Sequence, residues 1–179
     1  MTSAAAHSPP ARRAADPATV AALAIAAVAA ATLAGAWFFQ LVLDIRPCPL
    51  CLEQRYAYYL ALPLALVVAF AAARGAPRQM LLAGFAVLLL AALANAWLGG
   101  YHAGVEWQFW PGPTDCSGPL VDFGKAGNLL EQLDKVKVVR CDEVQFRFLG
   151  LSLAGYNVLI SLLLAAVALW GFVSSAKRA

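Results

Sequence analysis

Cys48 and Cys51 stand two residues apart in the stretch RPCPLCLEQR, residues 46–55, and Arg55 follows the second thiol by four positions. A Cys-x-x-Cys can cycle between dithiol and disulfide, or it can hold a metal. It makes a poor structural tie, since the small loop it closes restricts little chain entropy and closes under strain. Pro49 suits the first turn of a helix, so Cys48 is expected near the N-cap and Cys51 within that turn. Unpaired N–H groups and the helix dipole favour an anion there. Arg55 lies one turn further along the same face. Both influences favour the thiolate, the nucleophilic form of cysteine. Alone, Arg55 reads as a cation snorkelling at a helix end; in register with Cys51 it reads as part of a site.

Two more cysteines, Cys116 and Cys141, lie far downstream with 24 residues between them. An even number of cysteines outside the apolar segments points to disulfide chemistry on an oxidising side of a membrane. Two cysteine pairs could also supply four zinc ligands. A structural zinc site has a second closely spaced Cys or His pair, however, and this chain has none, leaving His102 as the other candidate ligand. Haem attachment needs CxxCH, whereas Leu52 follows Cys51. No metal is expected. Nucleotide-binding fingerprints, P-loops and serine triads are likewise missing.

The surrounding elements explain where this chemistry sits. Of 179 residues, 62% are hydrophobic and 13% charged, with mean hydropathy +0.71; soluble domains carry roughly 25% charged residues. Four apolar runs free of charge, about 20–43, 56–73, 80–98 and 151–173, each approach the ~20 residues that cross hydrocarbon. The fold class expected is an all-α membrane protein, a four-transmembrane-helix bundle over residues 18–179, preceded by a disordered tail at 1–17. The 24-residue first run exceeds a signal-peptide core, so it reads as a retained helix.

Charge sets the orientation. Arg12, Arg13, Arg74, Arg78, Lys177 and Arg178 flank the spans on one side, against Asp16 alone, while loops 44–55 and 99–150 hold seven Lys/Arg and nine Asp/Glu. The positive-inside rule puts both termini in the cytoplasm and both cysteine-bearing loops outside. Within the long loop, Lys125–Lys137 places Ala126, Leu129, Leu130, Leu133 and Val136 at helical spacing, which predicts a short interfacial helix. Trp97, Tyr101, Trp107, Phe109 and Trp110 form an aromatic belt at the outer end of the third run. The net charge of +3 and the lack of a basic patch argue against nucleic acid. A thiolate at the water–hydrocarbon boundary can meet a lipid-soluble electron acceptor, and a membrane quinone is the natural candidate.

The chain resembles the disulfide bond formation protein B (DsbB) family from Val20 onward. The resemblance rests on PCPLCLEQR at 47–55, YHAGVEWQFWPGPTDC at 101–116 and RCDEVQFRFLGLSLAGYN at 140–157. In vitamin K epoxide reductase relatives the paired loop cysteines precede the CxxC, whereas here they follow it. The resemblance implies a quinone-dependent oxidoreductase of the bacterial inner membrane that reoxidises a periplasmic DsbA-like thioredoxin-fold protein. It implies redox-active disulfides Cys48–Cys51 and Cys116–Cys141, with Cys116 attacked by the partner and Cys141 passing to Cys48. By the same likeness Cys51 reduces the quinone, ubiquinone or menaquinone, Arg55 lies beside it, and His102 matches a histidine near it. Some members carry Glu immediately before the arginine; here Gln54 stands there and Glu53 one position earlier. The alternative reading is a structural or assembly membrane protein with two stabilising disulfides.

Overall fold

Asp16 opens the first helix. Its Oδ2 accepts the Thr19 N–H at 3.0 Å and the Thr19 hydroxyl at 2.9 Å, and Pro17 takes the first helical position, where no N–H is needed. In this computed structural model, which describes residues 16–113 and 140–177, α1 runs Pro17–Leu41 and α2 Pro49–Ala73. Helix α3 covers Arg78–Glu106 and α4 Leu153–Ala176. Among the described residues these four helices are long and apolar enough to cross a membrane. Residues 1–15, Cys116 and the helix expected at 125–137 lie outside the described residues.

The turns follow from local chemistry. Helix α2 ends on Gly75 in the left-handed region, φ 72°, with the Ala76 N–H bonded to Ala71 O at 2.9 Å, and Pro77 then prevents continuation. Helix α3 passes the hydropathy boundary at Leu98 and continues to Glu106. Its end repeats the same motif with Gln108 at φ 60° and the Phe109 N–H on Gly104 O at 2.9 Å. Trp110 folds back over Gly104, where a Cβ would overlap its ring, and donates from Nε1 to Tyr101 O at 3.0 Å. Part of the expected aromatic belt therefore caps a helix, while Trp97 stays 82% exposed.

A two-stranded hairpin absent from the sequence reading precedes α4. Strand β1 (Arg147–Phe148) pairs antiparallel with β2 (Leu151–Ser152). Leu149 and Gly150, at φ 48° and 84°, give the two left-handed positions of a type I′ turn. Ser152 then caps α4, its Oγ accepting the Gly155 N–H at 3.2 Å.

Small residues bring the helices together. The buried stripe of α1 is Ala18, Ala21, Ala22, Ile25, Ala26, Ala29 and Leu33, at helical spacing. Gly171 of α4 meets the buried Phe85 of α3, and a Cβ on Gly99 would stand 2.9 Å from Asn157 Nδ2. In lipid such close approach supplies the dispersion that holds helices together. A buried polar cluster adds direction. The Tyr58 hydroxyl of α2 donates to Asn157 Oδ1 of α4, and Asn95 Nδ2 of α3 donates to Ser161 Oγ at 3.0 Å. The cluster joins the three helices at the level just below the cysteines.

Gly171→Ala is expected to cost about 1–3 kcal/mol through overpacking against Phe85. Tyr58→Phe should cost about 0.5–1.5 kcal/mol, the range of interhelical hydrogen bonds in bilayers. Reversible unfolding in mixed micelles reads both; wild-type stability in either variant would show that these contacts do not hold the bundle.

Candidate active site

Pro49 begins α2 and leaves Cys48 as its N-cap, in extended geometry at φ −74°, ψ 166°. The Cys48 Sγ accepts the Cys51 N–H at 3.3 Å, a role usually filled by a Ser or Asp oxygen. The two sulfurs lie 2.8 Å apart, so small side-chain rotations suffice to join them. Cys48 is fully buried and Cys51 half-buried. The adjacent Cys51 sulfur, followed by burial, pushes the Cys48 thiol up. The same contact holds the Cys51 thiol below its ordinary value.

The extension of α3 beyond Leu98 brings His102 to the same place. His102 Nε2 lies 3.6 Å from Cys48 Sγ, and its Nδ1 lies 2.8 Å from the Gln54 side-chain amide. Both residues are buried, at 2% and 5% exposure. The Gln54 amide can present either its N–H or its oxygen to Nδ1, so it can serve both neutral tautomers of the ring. Glu106, one turn further along α3, places Oε1 3.9 Å from His102 Nε2. Its buried Oε2 has no hydrogen-bond partner among the described residues.

Cys141 arrives from the segment before the hairpin. It is 1% exposed and shares one apolar cluster with Cys48, Leu50 and Val105, bordered by Cys51, Leu98 and Tyr101. Phe146 rests on Phe39 of α1, ring centroids 5.1 Å apart. Arg140 forks onto Asp142 at 3.0 and 2.6 Å and holds that exposed carboxyl below its ordinary range. The pair flanks Cys141 on its outer side.

Arg55 faces the other way from the imidazole. Its guanidinium donates to Gln40 Oε1 at 2.7 Å and to Ala36 O at 3.4 Å, and it lies 5.7 Å from the Trp37 ring centroid. The end of α1 therefore anchors it, leaving further N–H groups uncommitted. Leu52, Tyr56 and Tyr59 around it are exposed.

Of the residues singled out by sequence, Cys48, Cys51, Cys141 and His102 are thus brought together, with Arg55 beside them. Cys116 lies outside the described residues. Gln54, Gln40 and Glu106 were not assigned to the site from sequence. Gln40 carried a signal as a polar residue in an apolar run, and Glu106 as the i+4 neighbour of His102. Gln54 had no sequence signal for its bond to a ring on another helix.

The profile of the family described as disulfide bond formation protein DsbB matches residues 18–171. A disulfide bond formation protein B of Azoarcus sp. (strain BH72) is 33% identical over 157 residues, covering 83% of this chain and 88% of that protein. Disulfide bond formation protein B 1 of Pseudomonas fluorescens (strain Pf-5) is 32% identical over 154 residues, covering 83% and 85%. A disulfide bond formation protein B of Aromatoleum aromaticum (strain EbN1) is 31% identical over 153 residues, covering 82% of this chain and 87% of that protein.

The shared burial of Cys48 and Cys141 makes a specific demand. With Cys51→Ser and Cys116→Ser combined, mild oxidation should link Cys48 to Cys141 within one chain. Peptide mass mapping reads the bond; two persistent free thiols would show that the 140–142 segment does not reach α2.

Proposed function

Because this chain belongs to the disulfide bond formation protein B family, we propose that it is a quinone-dependent thiol oxidase whose substrate is the reduced dithiol of a periplasmic DsbA-like, thioredoxin-fold protein. It is a multi-pass membrane protein of that family. In this reading it lies in the bacterial inner membrane with both termini cytoplasmic and the cysteine loops periplasmic, as the basic flanks favour. The observation that carries the proposal is the unequal setting of the CxxC sulfurs. Cys48 is buried against Cys141 and His102, while Cys51 is half-buried one turn from Arg55.

The exchange steps balance. A thiolate of the partner attacks Cys116 of a Cys116–Cys141 disulfide, and Cys141 leaves as thiolate. The partner's second thiolate then attacks the mixed disulfide, releasing oxidised partner and leaving both loop thiols reduced. Cys141 attacks Cys48 and expels Cys51 as thiolate; Cys116 attacks Cys141 and restores the loop disulfide, so Cys48 and Cys51 end reduced. Two electrons and two protons have moved from partner to CxxC. His102, with Nε2 against Cys48, is placed to hold the proton that Cys48 gains or loses.

A bound quinone supplies a two-electron, two-proton acceptor dissolved in the lipid. The residues present fit one: Arg55 has N–H groups left for a carbonyl oxygen, and the exposed Leu52, Tyr56 and Tyr59 give an apolar face. Ubiquinone and menaquinone share that carbonyl, so the donor set accepts either. Arg55 would hold the acceptor end, and the Gln40 and Ala36 contacts hold Arg55.

Purified protein in detergent, given reduced thioredoxin-fold proteins and a quinone, should bleach the quinone absorbance. Cys51→Ser should abolish turnover; turnover at the wild-type rate would overturn the role of Cys51. Loss of a charged hydrogen bond, as in Arg55→Ala, should raise the quinone KM roughly 10–100-fold. The KM for the partner should stay within about twofold; an unchanged quinone KM would remove Arg55 from the acceptor site.

A further inference from the structure

The thiols and imidazole that serve exchange also form a ligand set. Cys48 Sγ, Cys51 Sγ and a His102 ring nitrogen lie within 4.8 Å of one another. A zinc ion about 2.3 Å from sulfur and about 2.0 Å from nitrogen needs a sulfur–nitrogen edge of roughly 3.5 Å in a tetrahedron. Cys48 Sγ and His102 Nε2 stand 3.6 Å apart. The sulfurs, now at 2.8 Å, reach the corresponding sulfur–sulfur edge by opening about 1 Å.

Two further groups surround the imidazole. Glu106 Oε1 is 3.9 Å from His102 Nε2, and its buried Oε2 is without a hydrogen-bond partner among the described residues. Glu106 lies outside the group of three ligand atoms, but its carboxylate places a negative charge beside the imidazole, which favours a bound cation. Gln54 decides which ring nitrogen has a lone pair to give. Gln54 Nε2 faces Nδ1 here; the amide rotated by 180° presents its oxygen to an Nδ1 proton, which frees Nε2 as the ligand facing the sulfurs, and a partner of this kind orients metal-bound imidazoles. The sequence reading dismissed metal because no second close pair of ligands follows the CxxC. The fold supplies the missing ligand from α3.

The geometry points to a binding site for one thiophilic divalent cation of the zinc class, formed by Cys48, Cys51 and His102 in the reduced protein alone, with the fourth position left to a water or a small anion. The Cys48–Cys51 disulfide has no thiolate to offer, so oxidation removes the site. Binding displaces the remaining thiol protons and withdraws both sulfurs from exchange with Cys141. The cation is thus a reversible inhibitor that acts when reduced CxxC accumulates. This goes beyond the oxidase reading and does not depend on which acceptor takes the electrons.

The test uses the full chain carrying Cys116→Ser and Cys141→Ser, so that the CxxC holds the remaining thiols. It is reduced anaerobically without quinone and titrated with Zn2+ against a chromophoric chelator, then with Co2+ for its d–d spectrum. One ion per reduced chain and none per oxidised chain is the expected result. Adding His102→Ala should lower the Zn2+ affinity at least tenfold and move the cobalt bands. Gln54→Ala should weaken binding about tenfold, the size of effect that partners of metal-bound histidines have. Absent binding to reduced protein, equal binding in both redox states, or an unchanged affinity and cobalt spectrum in His102→Ala would each overturn the site. If His102→Ala does not remain monodisperse, His102→Gln is judged by the same two readouts.

Discussion

Inside hydrocarbon every backbone N–H and C=O must be satisfied by its own helix, so a membrane-spanning chain offers unpaired polar groups at helix ends. The site follows from where one such end falls. Pro49 can start a helix but cannot sit within one without cost, and it fixes Cys48 as the residue whose side chain meets the open N–H groups. The Cys48 sulfur accepts the Cys51 N–H, so the N-cap bond lies within the CxxC motif itself. Sulfur is a weak acceptor as a thiol and a strong one as a thiolate. The helix start therefore favours negative charge on the pair at the boundary between water and lipid.

The bundle levels its helix ends around that point. Small residues let α3 and α4 approach closely, and the Tyr58, Asn95, Asn157 and Ser161 cluster fixes how the three helices slide past one another. A slip of one turn, about 5.4 Å, would carry His102 out of reach of Cys48. The polar cluster contributes modest stability; its larger effect is on register. The Gly104–Trp110 closure at the end of α3 and the Ser152 cap of α4 serve the same end, turning the chain so that the 140s segment lies across the cysteines.

The two sulfurs of one short motif then occupy unlike surroundings. Cys48 is enclosed by apolar side chains, an imidazole and a third cysteine, while Cys51 has a cation one turn away and lipid-facing aromatics nearby. Such an asymmetry suits the proposed electron flow from a soluble dithiol to a membrane acceptor, whose two ends would lie in different solvents. The imidazole that suits proton handling at Cys48 is also a good ligand for a soft cation. The proposed sensitivity to such an ion would follow from having His102 beside two thiols.

The sequence by itself determined the class of the protein, the four spans, the start of α2 and the identity of the CxxC with Arg55 in register. Those features are local: hydropathy over ~20 residues, a proline's fixed φ and i+4 spacing are all properties of one segment. It placed the end of α3 at Leu98, because hydropathy falls at Gly99–Gly100 and His102. The helix continues to Glu106 since His102 and Glu106 turn into protein and not into lipid. Only the tertiary structure decided that Gln54 would bond His102, that Gln40 would hold Arg55, and that Cys141 would be buried against Cys48. Each of these joins residues on different elements. Their meeting is set by helix packing and register, which a single segment does not encode.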